Sequence, residues 1–394
     1  MSLGIYISVP FCRTKCSYCN FASDVFSRAV FERYVERVAT DIDHASETAE
    51  QMGGVFESSV DSIFLGGGTP TILDITQLER LCVTISQKFA VANGAEITVE
   101  CAPGTVSPQM IEALQRCGVN RVSLGVQSFG DIEAASVGRL HNRTTVLDDI
   151  ARLRSAGIKN INVDLIAGLP HQTADSWEFS LAEAIATGAP HVSVYMLEVD
   201  DDSRLGRELM AGGTKYHAHF VPDDELTADF YETACERLNA AGVRQYEISN
   251  FSGPEQESRH NLKYWTRQPY LGFGVDAHSM LISAENPHEA VRFASPDALE
   301  EYVAGKAPKK TPVPASAALE EAFFLGLRLN RGVDLESLAK EFGENAIDAL
   351  SSPISDCVAS ALLERAGNVI RLTPRGRLLS NEVFERFIQG CSPV

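Results

Sequence analysis

Leu3-Gly4-Ile5-Tyr6-Ile7-Ser8-Val9-Pro10-Phe11-Cys12-Arg13-Thr14-Lys15-Cys16-Ser17-Tyr18-Cys19-Asn20-Phe21 decides the fold of this chain. It begins as a strand, Gly4–Val9, and runs straight into cysteines spaced C-x₃-C-x₂-C. Three thiolates on one short loop can hold an iron–sulfur cluster. A [4Fe–4S] cube usually takes four cysteines, so three leave one iron open to a small molecule. That suits a reactive or ligand-binding centre better than a plain electron wire. A closed zinc site needs four ligands in a tetrahedron, and no fourth Cys or His follows at finger-like spacing. An odd trio cannot pair off as disulfides.

Five more segments resemble that first strand: Val60–Leu65, Ala95–Cys101, Arg121–Val126, Asn160–Ile166 and His191–Leu197. Each is short and rich in Val, Ile and Leu, as parallel strands buried on both faces should be. Helical stretches separate them. Thr76-Gln-Leu-Glu79 reads as a capping box, and Ser107-Pro108 as an N-cap followed by proline at the first helical position. Gly118 and Gly157 mark helix ends. Six βα units predict an α/β fold with a parallel sheet curved into a partial (β/α)6 barrel. Ligands of such folds gather at the C-terminal ends of the strands, where the cysteine loop also lies.

Later segments differ. A helix near Asp223–Ala241 leads to Gln245–Phe251, then to Arg259-His-Asn-Leu-Lys-Tyr-Trp265 and the glycine-rich stretch Leu271–Ala277. Lys306–Pro314, with three prolines, reads as a linker. Helices near Ala317–Leu329, Leu335–Phe342 and Ile354–Ala366, a strand Val369–Leu372 and a last helix from Pro374 predict a small winged-helix-like domain. The expected divisions are 1–215 for the barrel, 216–305 for its extension and 315–394 for the C-terminal domain.

The 394 residues carry a net charge of −19, with 44% hydrophobic and 22% charged residues. Nucleic-acid binding relies on Lys and Arg meeting phosphates, so this balance disfavours it. No apolar run approaches the ~20 residues that span a bilayer. The N-terminus lacks the basic region of a signal peptide. Nine cysteines without framework spacing fit a reducing cytoplasm.

Polar residues recur at the ends of the predicted strands. Gly66-Gly67-Gly68-Thr69-Pro70 follows the second, where glycines let a ligand approach the backbone. Glu100 ends the third, Gln127 the fourth, and Asp164 lies in the fifth. A carboxylate in an apolar strand needs a partner, and three such positions suggest a polar ligand across the barrel mouth. Arg139 can meet a ligand carboxylate.

The cysteine motif with Tyr18 before its last thiol, followed by Gly-Gly-Gly-Thr-Pro, resembles the radical S-adenosylmethionine family. Tyr6-x-x-x-Pro-Phe-Cys12, Glu100, Gly-Val-Gln127-Ser-Phe, Gly-Arg139-Leu-His and Asp164-Leu-Ile-x-Gly-Leu-Pro are similar to its group of coproporphyrinogen III dehydrogenases and heme chaperones. The resemblance implies a [4Fe–4S] cluster on Cys12, Cys16 and Cys19. It implies S-adenosylmethionine held by Tyr6, Gly68, Thr69, Glu100 and Arg139, with Gln127 and Asp164 at the ribose. Ser8 stands where the family usually has a histidine. Three features lean toward the chaperones. Phe21 occupies the position of the dehydrogenases' fourth cysteine, the first strand starts within four residues, and His260-Asn261-x-x-Tyr264 matches their heme-associated motif. The implied partners are heme and heme-accepting apoproteins, some at the membrane, with a second copy of the chain in a homodimer. The alternatives are a porphyrinogen-decarboxylating radical enzyme, a related methyltransferase and a heme-degrading enzyme.

Overall fold

A computed structural model describes residues 2–388. The six expected strands are present as β1 (Leu3–Val9), β2 (Ser59–Gly67), β3 (Ala90–Cys101), β4 (Arg121–Gln127), β5 (Asn160–Ala167) and β6 (His191–Met196). They pair in that order, all parallel. Each crossover carries helix, as a parallel connection requires.

The strands are less uniformly apolar than two buried faces suggest. Ile5, Ile7 and Val9 of β1, Val122, Leu124 and Val126 of β4, and Ile161, Val163 and Leu165 of β5 all enter the main core. The alternate positions are polar: Glu96, Thr98 and Glu100 on β3, Arg121 and Ser123 on β4, Asn162 and Asp164 on β5, His191 and Ser193 on β6. Successive side chains of a strand point to opposite faces, so one face of the curved sheet is a hydrogen-bonded polar interior. His191 Nδ1 lies 2.6 Å from Asn162 Oδ1, and its Nε2 lies 2.9 Å from Tyr246 Oη. Ser193 donates to Asn250 Oδ1 at 2.8 Å.

The sheet continues on both sides. A short hairpin, β7 (Arg244–Gln245) and β8 (Asn250–Ser252), adds antiparallel to β6. On the other side β9 (Tyr270–Gly274) lies parallel to β1, followed by antiparallel β10 (His278–Ile282), β11 (Ala290–Ala294) and β12 (Lys309–Val313). The result is one 12-stranded sheet.

Two local expectations are corrected. Lys306–Pro314 is not a linker, because its second half is β12 at the sheet edge. Proline is tolerated there because an edge strand can leave one backbone side unpaired. Lys309, Lys310 and Pro312 also discourage pairing with another chain. The helix Ile75–Lys88 starts one residue before Thr76, with Asp74 as its N-cap. Gln77 Oε1 accepts from the Asp74 N–H at 3.1 Å, so the reciprocal cap is Asp74–Gln77. The Ser107 cap and the Gly118 and Gly157 ends are as expected.

A second core is built from Leu319, Phe323, Leu327, Ile354, Cys357, Ile370 and Phe387 with their neighbours. It packs around β13 (Val333–Asp334), β14 (Leu363–Ala366) and β15 (Val369–Leu372), paired in the order β13-β15-β14. The expected helix Ile354–Ala366 is shorter, Ser351–Ala359, and its last residues form β14. Glu321 ties this part to the sheet through Arg267 at 3.3 Å and Arg292 at 3.0 Å.

Candidate functional site

The cysteine loop leaves β1 and is held on two sides. Gly68 N–H donates to Val9 O at 2.7 Å and Thr69 N–H to Phe11 O at 2.8 Å. A Cβ on Gly68 would lie 2.7 Å from both of those oxygens, so only glycine lets the two loops meet. On the far side Ser17 N–H donates to Val137 O at 3.1 Å, and Thr14 Oγ1 to Gly138 O at 3.0 Å. Lys15 Nζ folds back onto Phe21 O and Ser23 O.

The three sulfurs are free thiols in one polar nest. Cys12 Sγ lies 4.0 Å from Thr69 Oγ1, Cys19 Sγ 4.0 Å from Ser23 Oγ, and Cys16 Sγ 3.6 Å from Arg139 Nη1. Burial lifts the Cys12 thiol, and the neighbouring Cys19 and Cys16 add to this. Among the described residues no three His, Cys, Asp or Glu side chains converge as a single metal ion requires. A multi-iron cluster spreads its thiolates more widely than one ion does. Three thiols with hydroxyl and guanidinium neighbours are a donor set that fits such a cluster.

The other expected residues meet at the same strand ends. Glu100 Oε2 accepts from Gly67 N–H at 3.1 Å. Burial pushes its carboxyl up to about 8, with the nearby Asp164 carboxylate adding to the shift. Asp164 accepts from Ser123 Oγ at 3.0 Å and Asn162 Nδ2 at 2.7 Å, and burial raises its carboxyl too. Arg139 donates to Gly125 O as well as facing Cys16. A Cβ on Gly125 would fall 2.9 Å from the Arg139 guanidinium and 3.1 Å from Gln127 Nε2, so two expected site residues crowd one point. Gln127 has φ +68 after a register shift in β4. That left-handed backbone re-aims its side chain at a strand end, where such irregularities often serve a site.

Beside the cysteine loop lies a cleft of about 290 Å³. Its lining includes Tyr6, Gly68, Phe21, Tyr264, Tyr270 and His278. Phe21, 64% exposed, is where the dehydrogenase pattern expects a fourth thiol. The His260 motif reaches this cleft through Tyr264 only. His260 is fully buried, with Nδ1 3.0 Å from Ser62 Oγ and Nε2 2.8 Å from Tyr264 Oη. Burial depresses its protonation to about 3, with Lys263 and Arg121 adding to this. The helix that carries it, Arg259–Trp265, is anchored by Glu96, which accepts from the Arg259 and His260 N–H groups at 3.0 Å each. A carboxylate at a helix N-terminus is favoured by the backbone dipole.

Sequence reading missed Arg121, the buried cation that faces Glu100, Asp164 and His191 from the first position of β4. Strict alternation, Arg121-Val-Ser123-Leu-Gly125, was the available signal. It also missed Asp276 and His278, just beyond or within the glycine-rich stretch.

The chain is similar to known proteins along nearly its whole length. Residues 6–184 match the Radical SAM superfamily and residues 313–379 the HemN C-terminal domain. The chain belongs to the radical SAM superfamily, in the group of HemW and the coproporphyrinogen III oxidases. It is 32% identical to the heme chaperone HemW of Bacillus subtilis (strain 168), over 97% of this chain and 98% of that protein. It is 29% identical to the heme chaperone HemW of Escherichia coli (strain K12), over 98% of each. The coproporphyrinogen III oxidase HemN of Escherichia coli shares the fold, with a TM-score of 0.82 at 22% identity over 98% of this chain and 90% of that one.

Proposed function

We propose that the protein is a heme chaperone that carries a [4Fe–4S] cluster and S-adenosylmethionine, binds heme and passes it to apoproteins. The observation that carries this reading is the aromatic cleft, which joins the cysteine loop to the Tyr264 end of the heme-associated motif without a fourth thiol at Phe21. The end-to-end likeness to HemW proteins supports it.

Cys12, Cys16 and Cys19 would hold the cluster. A cluster held by three thiolates would leave one iron for S-adenosylmethionine. Tyr6, Gly68, Thr69, Glu100 and Arg139 would position that methionyl end, and Gln127 and Asp164 would accept from or donate to the ribose. Asp164 suits hydroxyl donors because a carboxylate is a strong acceptor. Burial holds the Glu100 carboxyl up to about 8, and a ligand ammonium group beside it would favour the ionised form.

The chain has no helix among the described residues that is long and apolar enough to cross a membrane. A cytoplasmic site of action, acceptors that include membrane proteins, and a homodimer belong to the same proposal. The test is anaerobic reconstitution followed by heme titration, then mixing with an apo-hemoprotein. A Soret band that moves to the acceptor is expected. Absence of that band, with decarboxylation of coproporphyrinogen III under reducing conditions, would replace this reading by that of the related oxidase.

A further inference from the structure

We infer that Cys82 and Cys117 form a thiol-modification site, a pair that a small-molecule disulfide such as oxidised glutathione converts reversibly into an intramolecular disulfide. The site lies in the outer helical layer, away from the cysteine loop, and does not depend on the heme reading.

Cys82 lies on the helix Ile75–Lys88, and Cys117 caps the C-terminal end of the helix Pro108–Arg116. An ion pair joins the two helices, with Arg116 Nε 2.6 Å from Glu79 Oε1. Residues three apart share a helix face. Cys82 therefore stands one turn beyond Glu79 on the face turned to Arg116, and Cys117 is the residue after Arg116. The two sulfurs meet where the ion pair has already drawn the helices together. The Cys82 thiol donates to the Cys117 sulfur. Both cysteines are free and half-buried, and Gln115, Arg116, Gly118 and Val83 around them are exposed. A small disulfide can reach this spot without opening the core.

The attacking species in disulfide exchange is a thiolate. The Cys82 hydrogen bond pulls the Cys117 thiol below its ordinary value; burial and the Glu79 carboxylate oppose this, and the Arg116 guanidinium assists it. The same hydrogen bond, with burial, pushes Cys82 up. The pair thus divides into an attacking sulfur, Cys117, and a resolving one, Cys82. Cys235 is the contrast. It is half-buried too, but burial pushes it up to about 11 and its neighbours are Tyr231 and Arg377, not a second thiol. Disulfides of a reducing compartment are transient and redox-responsive, which suits a partly exposed pair of this kind.

The exchange balances in two steps. The Cys117 thiolate attacks one sulfur of oxidised glutathione, whose S–S bond breaks; a mixed disulfide forms and one glutathione leaves as its thiolate. Cys82 passes its proton to that thiolate through solvent and attacks the Cys117 sulfur, and the second glutathione leaves. Two protein thiols are oxidised, and one oxidised glutathione becomes two reduced ones. The new bond would tie the helix that follows Gly68 and Thr69 to the helix that follows Glu100. Those two connections already touch at the barrel mouth, where Thr71 Oγ1 and Thr105 Oγ1 lie 2.6 Å apart.

The test uses the full chain after anaerobic reconstitution, incubated with oxidised glutathione, quenched by alkylation and mapped by peptide mass spectrometry. Wild type should yield a Cys82–Cys117 cross-linked peptide that excess reduced glutathione opens. Cys82→Ser keeps a hydroxyl to donate to the Cys117 sulfur and removes only the resolving thiol. It should stop with glutathione on Cys117, at least tenfold faster than on Cys235. Cys117→Ser should slow modification of Cys82 at least tenfold. No cross-linked peptide in wild type, or equal rates at Cys117 and Cys235 in Cys82→Ser, would overturn the inference. The map reads these residues alone, so loss of the cluster or of heme binding would overturn the chaperone reading and leave this result standing.

Discussion

Glu100→Gln tests the electrostatics of the barrel mouth directly. The folded protein holds the Glu100 proton up to about pH 8, whereas the unfolded chain releases it near 4.5. The folded-state value is raised, so its contribution to stability is complete below 4.5 and is lost as pH rises through 8. At 1.36 kcal/mol per pH unit the full loss is at most ~5 kcal/mol. Glu100 is half-buried, and solvent screening reduces the effect to about 2–3 kcal/mol. Glutamine is neutral throughout and keeps an oxygen for the Gly67 N–H. The apo variant should therefore gain on wild type by that amount between pH 5 and pH 8.5. With ~2.1 cal/mol/K of unfolding entropy per residue, the melting midpoints should separate by about 3 °C. Scanning calorimetry or dye-based melting at several pH values measures this. Parallel pH curves for the two proteins would refute the buried, proton-holding carboxyl.

Other perturbations read other parts of the structure. Gly68→Ala drives a Cβ against Val9 O and Phe11 O, so overpacking and two weakened backbone hydrogen bonds should cost about 2–4 kcal/mol locally. Iron bound per chain after anaerobic reconstitution should fall, whereas Gly253→Ala, whose new methyl group meets only Pro190 O at 3.7 Å, should keep it. Arg121→Met removes a buried cation from beside Glu100 and Asp164. It should destabilise by about 3–5 kcal/mol, more at pH 8.5 than at pH 5 because the Glu100 carboxyl is charged at the higher pH; an equal loss at both values, by urea unfolding, would count against that role. Phe323→Ala empties the centre of the second core, where the Phe323 and Phe387 rings lie 4.3 Å apart. It should cost about 3–5 kcal/mol there, seen as faster proteolysis of the C-terminal part with the cluster retained.

Strands β1 to β6 were legible because each is a short Val/Ile/Leu segment bounded by glycine or a cap, and their ends agree within a few residues. The cysteine loop, Glu100 and Gln127 drew attention because each sits at a strand's C-terminal end, Asp164 because it is a carboxylate inside an apolar strand, and Arg139 through its Gly-Arg-Leu-His motif. β12 was not, because its prolines and lysines are tolerated only at a sheet edge, and edge position is a property of the assembled sheet. Arg121 was hidden for a related reason: a charge at the start of a strand looks solvated until the sheet curves around it. The burial of His260 follows from Glu96, 164 residues earlier, gripping its helix. No local pattern reports a contact that distant. His278 escaped notice because nothing but the folded turn brings it to the cleft.

The position of β9 beside β1 has a consequence for biosynthesis. The strand that leads into the cysteine loop is synthesised before the other strands described, and its second neighbour, Tyr270–Gly274, is some 260 residues behind it. At ~5–20 residues per second that is roughly 15–50 s of translation during which one side of β1 lacks its partner. The partners of the cysteine loop, from Gly68 to Arg139, are made early in that interval, so the loop's own cradle is complete while one edge of β1 is still unpaired.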